Sequence, residues 1–403
     1  MDLHGKALYL SYDGLTDPLG QAQILPYLIG LEQQGMEFVI ISFEKKEVFS
    51  ENKHLIIQQL EGKNIQWIPL SYTKKPAVIS TVYDLWRMKR VARKSITSEH
   101  EIIHCRSYLP MLVAMSINRG RKVLFDMRGL WADERVDGNL WPQQKPLYRW
   151  IYRYFLRKEK KFVQQCDALV SLTHEGIKAL SERYGAGTLK NKSSVIPCCV
   201  DSELFQPEPP PSHLKRSLGI PEDGKVLIHV GSVGTWYRLD QELVFFNALS
   251  ELDPTWYFLI LTKDTTAATA IVHANQSHLS RIVIHSAPHH EVPLFLNLAQ
   301  ASIQFIEPTF SKRASSPVKL GESLAMGVPV ISNTGIGDSQ AQIQDAQAGI
   351  CINSWDEISV AVAHFLDMQF DPKAIRAYAL QNLGLEQGIV AYHEVYTKIL
   401  PYD

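Results

Sequence analysis

Residues 315–333 read SSPVKLGESLAMGVPVISN, a polar segment followed by two segments with apolar residues. Its polar beginning predicts a loop. Leu320 and Leu324, four apart on one face, predict a short helix from about Lys319, and the apolar run from Val330 predicts a strand. A loop that opens onto a helix and then returns to a strand is typical of an α/β domain with a parallel sheet.

The beginning of this helix is a predicted anion site. The first turn of a helix has backbone N–H groups without intrahelical partners and carries the positive end of the helix dipole. We therefore expect Ser316, the loop amides and Lys319 to bind a phosphate. Glu322 lies three residues after Lys319 on the same face and is placed to accept hydrogen bonds from hydroxyl groups beside that phosphate. A phosphate with neighbouring hydroxyls indicates a nucleotide sugar.

This stretch resembles the donor-binding signature of glycosyltransferase family 4. The residues that carry the resemblance are Pro317, Lys319, Glu322, Ala325, Gly327 and the pair Pro329-Val330. It implies the GT-B architecture, in which two Rossmann-like domains face each other, and transfer of a sugar from a nucleotide donor with retention at the anomeric carbon. An ordinary helix–strand connection in an α/β domain is the alternative.

Composition places the chain among globular proteins of two domains. It has 403 residues, of which 45% are hydrophobic and 21% charged, and its formal net charge of −1 gives no general attraction to nucleic acid. Five cysteines without C-x-x-C spacing, and no zinc pattern with histidine, favour a reduced, cytoplasmic compartment. The first ten residues lack the apolar core of a signal peptide, and no apolar run reaches the length of a membrane span.

Apolar runs alternate with stretches of helical spacing in both halves of the chain, which predicts a doubly wound parallel sheet in each. The predicted strands of the first half are Ala7–Tyr12, Phe38–Phe43, Ile65–Tyr72, Ile102–Cys105, Val123–Phe125, Ala168–Leu172 and Val195–Ile196. Those of the second half are Val226–Val230, Trp256–Leu261, Ile282–Ile284, Ile303–Ile306, Val330–Ser332 and Ile350–Ile352.

A proline-rich break at residues 206–211 separates these two halves. We therefore predict two domains, at 1–205 and 206–375, which the resemblance implies to be an acceptor-side domain and a nucleotide-sugar donor domain. Pro372–Leu400 is predicted to form two helices with no following strand. By resemblance, the terminal helix, within 376–403, packs back on the first domain.

The loop after the first strand is a candidate for the donor diphosphate. Gly14 and Gly20 permit close approach of the backbone, and the following helix start supplies amides. This loop resembles the N-terminal glycine loop of the family, which implies that it lies across a cleft from the donor diphosphate. Asp13 in the same loop is a candidate acceptor-binding residue. A plain turn is the alternative.

Two further strand ends carry candidate residues. His104 and Arg106 end one strand and are predicted to bind the acceptor, as is Trp131 after the next. For His104, a hydrogen-bonded residue of the core is the alternative. Arg128 falls by strand register where many relatives have a histidine that faces the donor sugar. A permanently protonated arginine cannot act as a base, but it can stabilise charge that develops on the diphosphate. Asp126 is the third catalytic candidate beside Lys319 and Arg128, and a cluster of salt bridges without catalytic function is the alternative.

The second domain departs from the family pattern in two places. In the glycine turn after its first strand, with Gly231 as a candidate donor contact, Ser232 and Tyr237 stand where relatives have an arginine and a lysine. Arg238 is the candidate replacement for that charge, with a surface role as the alternative. Counting back from Glu322, Ala314 stands where relatives have a carboxylate that contacts the sugar. The identity of the sugar is therefore open.

A basic stripe recurs every four residues further along the first half, at Arg149, Arg153, Arg157 and Lys161. Such a helix is suited to an anionic membrane surface or a lipid-linked pyrophosphate acceptor, with a solvated helix face as the alternative. If the protein meets a membrane, we expect it to do so peripherally, from the cytoplasmic side.

The predicted function is retaining, metal-independent transfer from a nucleotide sugar, such as a UDP- or GDP-sugar, to a hydroxyl acceptor, with no cofactor. The acceptor would be a glycan or a lipid-linked molecule, as in polysaccharide biosynthesis. Motifs for a dinucleotide oxidoreductase, a P-loop, a serine hydrolase or a D-x-D metal site are absent from the sequence. The alternatives are an epimerase or phosphorylase with the same architecture and a nucleotide-sugar-binding subunit without catalysis.

Overall fold

The computed structural model describes residues 4–76, 78–211, 213–275 and 279–400. The chain forms two compact units, one made of Met1–Pro197 with Leu385–Asp403 and the other of Cys198–Gly384. The units therefore divide after Pro197 and after Gly384, whereas the sequence predicted divisions after residues 205 and 375. The reason is that residues just after the first division already belong to the second core: Phe205 is buried there, and Val200 forms a parallel bridge with Gly384.

The strands alternate with helices along the whole chain, as the hydrophobic pattern predicts. They are β1 Gly5–Ser11, β2 Met36–Glu44, β3 Ile65–Ser71, β4 His100–Arg106, β5 Lys122–Asp126, β6 Ala168–Ser171, β7 Ser193–Val195, β8 Lys225–Val230, β9 Trp256–Leu261, β10 Ile282–His285, β11 Ala301–Gln304, β12 Val330–Asn333 and β13 Gly349–Ile352. The predicted seventh and eleventh strands lie about two residues too late, because the apolar side chains of their following loops are also buried.

The helices connect these strands in order. They are α1 Pro18–Gln23, α2 Leu25–Glu32, α3 Lys46–Leu60, α4 Ile79–Ser95, α5 Tyr108–Ala114, α6 Trp131–Asp137, α7 Pro146–Gln165, α8 His174–Tyr184, α9 Leu214–Ser217, α10 Leu239–Leu252, α11 Thr265–Ala274, α12 Val292–Leu296, α13 Val318–Ala325, α14 Ser339–Asp345, α15 Ile358–Asp367, α16 Pro372–Leu383 and α17 Leu385–Ile399. The helix predicted from about Lys319 is α13, and the two terminal helices are α16 and α17.

Each unit has one parallel sheet. Among the described residues, the first has seven strands in the order β3-β2-β1-β4-β5-β6-β7 and the second six in the order β10-β9-β8-β11-β12-β13. In both, the first and fourth strands of the unit are neighbours, so the winding direction reverses between them. Ligands of such sheets bind outside the carboxyl ends of the strands at this reversal.

The core of each unit consists of side chains on both faces of its sheet. Strands covered on both faces are apolar throughout, which is why they appear in the sequence as continuous runs. In the second unit one face packs against α13 and α16 and the other against α10 and α15.

The last helix, α17, belongs to the first unit and packs against α2. Gly30 permits this close packing, because a Cβ atom there would lie 2.3 Å from Cδ1 of Ile389. The preceding helix, α16, packs against α13 in the second unit. The two terminal helices therefore belong to different units.

Candidate functional site

The reversal point of the second sheet lies between β8 and β11, and the loops that follow these strands are joined to each other. Tyr237 bridges to Ile306, the Arg238 amide donates to the Phe305 carbonyl at 2.9 Å, and the Glu307 amide donates to the Trp236 carbonyl at 2.8 Å. These contacts fix the aromatic pair at 236–237 at the carboxyl end of the sheet.

Lys319 extends from the first turn of α13 towards this pair. Its Nζ lies 3.8 Å from the centroid of the Tyr237 ring. The atom is buried, and within the described ranges it has no hydrogen-bond partner. A Cβ atom at Gly231, just after β8, would lie 3.2 Å from it. A buried ammonium without a carboxylate is costly, and a bound anion would relieve that cost.

A second lysine lies on the neighbouring ring. The Nζ of Lys312 is 3.9 Å from the centroid of Trp236, so Lys312 and Lys319 contact the rings of two consecutive aromatic residues. Cations are attracted to the negative face of such rings. The aromatic contacts that hold these two side chains were not predicted from the sequence.

Ser316 lies just before α13, where its hydroxyl accepts a hydrogen bond from the Cys198 amide at 3.1 Å. This contact ties the loop to the start of the second unit. No side chain among the residues that the structure describes caps the beginning of α13. Its first-turn amides therefore point to the region where phosphate binding was predicted.

Glu322 is buried on the same face of α13, and its Oε1 lies 2.7 Å from Nε2 of His289. The hydrogen bond to this carboxylate raises the pKa of His289, which outweighs the opposite effect of its partial burial. The sequence singled out Glu322 but not His289, which lies between β10 and α12, because the pairing depends on which loops meet.

Arg238 is neutralised by two carboxylates. Its guanidinium makes a two-pronged contact with Asp240, at 2.9 and 2.8 Å, and a further one with Glu307 at 2.5 Å. These ion pairs brace the loop after β8. The predicted contact of Arg238 with donor phosphates stays a prediction. Ala314 is completely buried, so its position is filled by packing.

In the first unit, Glu44 at the end of β2 organises the glycine loop after β1. Its carboxylate accepts hydrogen bonds from the amides of Leu15, at 2.9 Å, and Thr16, at 3.1 Å. Gly14 packs on it so closely that a Cβ atom would lie 2.6 Å from Oε2, and a Cβ atom at Gly20 would lie 2.0 Å from the Gly14 carbonyl. The packing of the loop itself thus requires both glycines. Glu44, an acidic residue at the end of an apolar strand, was not among the site residues predicted from the sequence.

Arg106 and Asp13, two predicted acceptor-binding residues, meet at the reversal point between β1 and β4. Nε of Arg106 lies 3.3 Å from the Asp13 carboxylate, and its Nη1 donates to the Gln23 carbonyl at 3.2 Å. The guanidinium is buried, whereas the Asp13 side chain is about half exposed. A half-exposed carboxylate held by a fixed arginine is suited to bind hydroxyl groups.

His104 and Asp126 lie in a buried cluster that anchors α17. Nδ1 of His104 lies 2.8 Å from the Tyr396 hydroxyl, and the Tyr392 hydroxyl donates to Asp126 at 3.0 Å. Burial lowers the pKa of His104. Burial raises the pKa of Asp126, but Arg128, His104 and Arg106 outweigh it and hold that pKa below its usual value. The predicted roles of His104 in acceptor binding and of Asp126 in catalysis stay predictions beside this structural role.

The remaining candidate residues of the first unit lie in different environments. Arg128 adopts a positive φ of 57°, lies 4.0 Å from Asp126 and donates to the Gln23 side chain at 3.4 Å. Trp131 packs in an aromatic cluster with Trp141 and Phe155. The four cations of the predicted basic stripe are exposed along α7: Arg149, Arg153, Arg157 and Lys161.

No helix among the described residues is long and apolar enough to cross a membrane. In the same part of the chain, no group of three or more histidine, cysteine, aspartate or glutamate side chains is arranged to hold a metal ion.

Known proteins resemble both units. Residues 27–204 match the family described as Glycosyltransferase Family 4, and residues 212–382 match Glycosyl transferases group 1. A comparison with curated proteins found no match.

Solved structures resemble the whole chain. A glycosyltransferase from Rickettsia africae is 16% identical with a TM-score of 0.71, and 100% of each chain is covered. Sucrose-phosphate synthase from Thermosynechococcus elongatus is 14% identical with a TM-score of 0.70, and 98% of each chain is covered. The Anabaena protein HepE in complex with UDP-glucose is 14% identical with a TM-score of 0.67, over 97% of this chain and 100% of that one. At these identities the likeness shows the fold, which is that of GT-B proteins.

Proposed function

The chain belongs to glycosyltransferase family 4, and we propose that it transfers a sugar from a UDP-sugar to a hydroxyl acceptor with retention at the anomeric carbon. The choice of UDP is supported by the structural neighbour HepE, which was solved with UDP-glucose. The observation that carries the donor site is the buried Nζ of Lys319, which has no hydrogen-bond partner in the described part of the chain and lies beside Gly231 and the first turn of α13.

Lys319 would bind the diphosphate and would act most strongly as the donor breaks. When the bond between the anomeric carbon and the diphosphate oxygen breaks, negative charge grows on the diphosphate. A fixed, desolvated ammonium stabilises this growing charge more than the ground state, and so lowers the barrier. The predicted role of Arg128 in stabilising this charge stays a prediction. Glu322 would accept hydrogen bonds from the ribose hydroxyls, in exchange for the contact with His289.

The acceptor oxygen would attack on the face from which the diphosphate leaves. A bond then forms between this oxygen and the anomeric carbon, the acceptor proton moves to a diphosphate oxygen, and UDP leaves. The configuration is retained, and no protein base is required. Asp13 and Arg106 would orient the acceptor, which we propose to be a glycan or a lipid-linked molecule in polysaccharide biosynthesis.

We further propose that the reaction requires neither a metal ion nor another cofactor. Lys319 and the first-turn amides of α13 would neutralise the phosphate charge. The protein would work in the cytoplasm, with the exposed cations of α7 against the inner face of the membrane. These cations lie on the same helix as the exposed side chains of Leu147 and Trp150, which supports contact with lipid.

The test is a panel of nucleotide sugars. Thermal shift selects the donor, because a true donor stabilises the folded protein by mass action. Transfer to simple glycoside acceptors is then measured with and without EDTA, and NMR gives the anomeric configuration of the product. A retained product and EDTA-resistant turnover are expected. An inverted product would overturn the mechanism, EDTA sensitivity would overturn metal independence, and binding without transfer would indicate a non-catalytic binding subunit.

A further inference from the structure

The helix α4 of the first unit exposes large apolar side chains on successive turns. Ile79 is 67% exposed, Val82 63%, Tyr83 50% and Trp86 53%. Their spacing places all four on one side of the helix. The opposite side is buried, through Ser80, Asp84, Met88 and Ala92. A contiguous exposed apolar stripe of this kind indicates a binding surface.

Cations flank this stripe on both sides. Residues 74–95 contain seven lysines and arginines and a single carboxylate, Asp84. That carboxylate is buried, where it accepts hydrogen bonds from the amide and the hydroxyl of Thr73 at 3.0 and 2.8 Å. The exposed side of α4 therefore presents positive charge only. We call it the α4 face: Ile79, Val82, Tyr83, Trp86, Arg90, Arg93 and Lys94.

The cations and the aromatic rings of this helix lie against each other. The Arg87 guanidinium is 5.6 Å from the centroid of Tyr83, and the Arg90 guanidinium is 5.7 Å from that of Trp86. Trp86 and its basic neighbours also line a shallow groove. Such pairs combine an apolar ring with a positive charge, a combination suited to the boundary between lipid headgroups and acyl chains.

The α4 face lies on the same side of the first sheet as α7. The chain moves in one direction across the sheet from β3 to β4, β5 and β6, and right-handed crossovers then place α4, α5 and α7 on one side. Both α4 and α7 pack against α5. Two exposed basic helices with aromatic residues thus flank one buried helix.

We propose that the α4 face docks the first unit on an anionic lipid bilayer. Its apolar residues would enter the headgroup boundary, and its basic residues would contact lipid phosphates. Charge disfavours a second copy of the chain, since two such faces would bring cations together. Ile79 and Val82 disfavour nucleic acid, which offers aliphatic side chains little to bind. The proposal deepens the membrane contact proposed for α7, but it depends on other residues and does not require sugar transfer.

The experiment is sedimentation of the full chain with vesicles of phosphatidylcholine alone or mixed equally with phosphatidylglycerol. We expect binding to the mixed vesicles only, weakened by salt. Two variants separate the apolar contribution to vesicle binding from the charged one. The first carries Val82→Ser with Trp86→Ser, and the second carries Arg90→Gln with Arg93→Gln and Lys94→Gln. Each should lower the vesicle affinity about tenfold or more. The affinity for UDP, measured by calorimetry, should stay unchanged, which also shows that the variants are folded.

Matched controls carry the same chemical changes elsewhere. Val360→Ser removes a residue that is 74% exposed on α15, and Arg216→Gln with Lys373→Gln removes exposed charge from the second unit. Both should bind vesicles like the unchanged protein. The proposal is wrong if the α4 variants bind mixed vesicles as well as these controls do. It is also wrong if the α4 changes abolish self-association or RNA binding instead. If vesicle binding is lost only in a variant that carries Arg149→Gln, Arg153→Gln and Arg157→Gln, the membrane contact belongs to α7 alone.

Discussion

The ammonium of Lys319 lies 3.8 Å from the centre of the Tyr237 ring, buried, at the point where the winding of the second sheet reverses. The ring attracts the cation, and none of the residues that the structure describes offers its N–H donors an oxygen acceptor. The side chain is thus held in place by the ring, an arrangement that would suit the proposed binding of a diphosphate.

The ring of Tyr237 is expected to matter more than its hydroxyl. Tyr237→Phe keeps the aromatic face and should leave UDP affinity within about twofold, whereas Tyr237→Leu should weaken it about 2- to 10-fold because Lys319 loses its cation–π contact. Calorimetric titration with UDP measures both. Equal loss in the two variants would show that the hydroxyl, and not the ring, is required.

The pair His289–Glu322 should make stability depend on pH in a defined direction. Glu322 raises the pKa of His289 in the folded protein. The contact therefore contributes its full stabilisation below about pH 6.5, the pKa of histidine in the unfolded chain. This stabilisation is lost as the pH rises through the pKa of His289 in the folded protein. Since His289 is 46% exposed, we expect less than about 1 kcal/mol.

Chemical unfolding of His289→Gln measures this contribution. The difference from the unchanged protein should be largest near about pH 6 and should vanish near about pH 9. His364→Gln, an exposed histidine on α15, serves as the control and should show little pH-dependent difference. A difference for His289→Gln that grows towards high pH would contradict the assigned direction.

Glu44 should be required for the glycine loop of the first unit. Glu44→Ala removes the acceptor of the Leu15 and Thr16 amides, and leaving buried donors without partners should lower the free energy of unfolding by about 3 kcal/mol. The exposed Glu51 on α3 offers the matched substitution, Glu51→Ala, which should change it by less than about 0.5 kcal/mol. Similar losses in denaturant titrations of the two variants would remove this role from Glu44.

The attachment of α17 should depend on Tyr392. Tyr392→Phe removes a buried hydrogen bond to Asp126, and we expect a loss of about 1–2 kcal/mol in the free energy of unfolding. Hydrogen exchange should rise in α17 before it rises in the strands. Tyr83→Phe, a substitution at an exposed tyrosine of α4, should have no effect on either measurement. Unchanged exchange in α17 of Tyr392→Phe would refute the anchoring role.

The strands and the helix that contains Lys319 could be predicted from the sequence because each is indicated by a local pattern of residues. A strand buried on both faces is apolar throughout, and the segment around Lys319 changes from polar loop to helix and strand within nineteen residues. The division between the units was harder to predict. The proline-rich segment at 206–211 is the visible break, yet the residues before it already pack in the second core.

The partners of the site residues could not be predicted, because they come from distant loops. Glu307, which neutralises Arg238, is 69 residues away from it, and His289 is 33 residues from Glu322. Nothing local to these residues indicates such pairs. Similarly, His104 and Asp126 were identified at strand ends, but the tyrosines that contact them lie in the last helix, nearly 300 residues away from His104.

The most direct test of the donor site is Lys319→Met, a substitution of similar length without the charge. Calorimetry should show UDP affinity reduced about 10- to 100-fold, since charge-assisted hydrogen bonds to the diphosphate are lost, and transfer from the UDP-sugar should be abolished. Without nucleotide, the free energy of unfolding should be unchanged or higher, because a buried charge that lacks a hydrogen-bond partner in the described structure has been removed. Unchanged UDP affinity and turnover in a folded Lys319→Met protein would contradict the account.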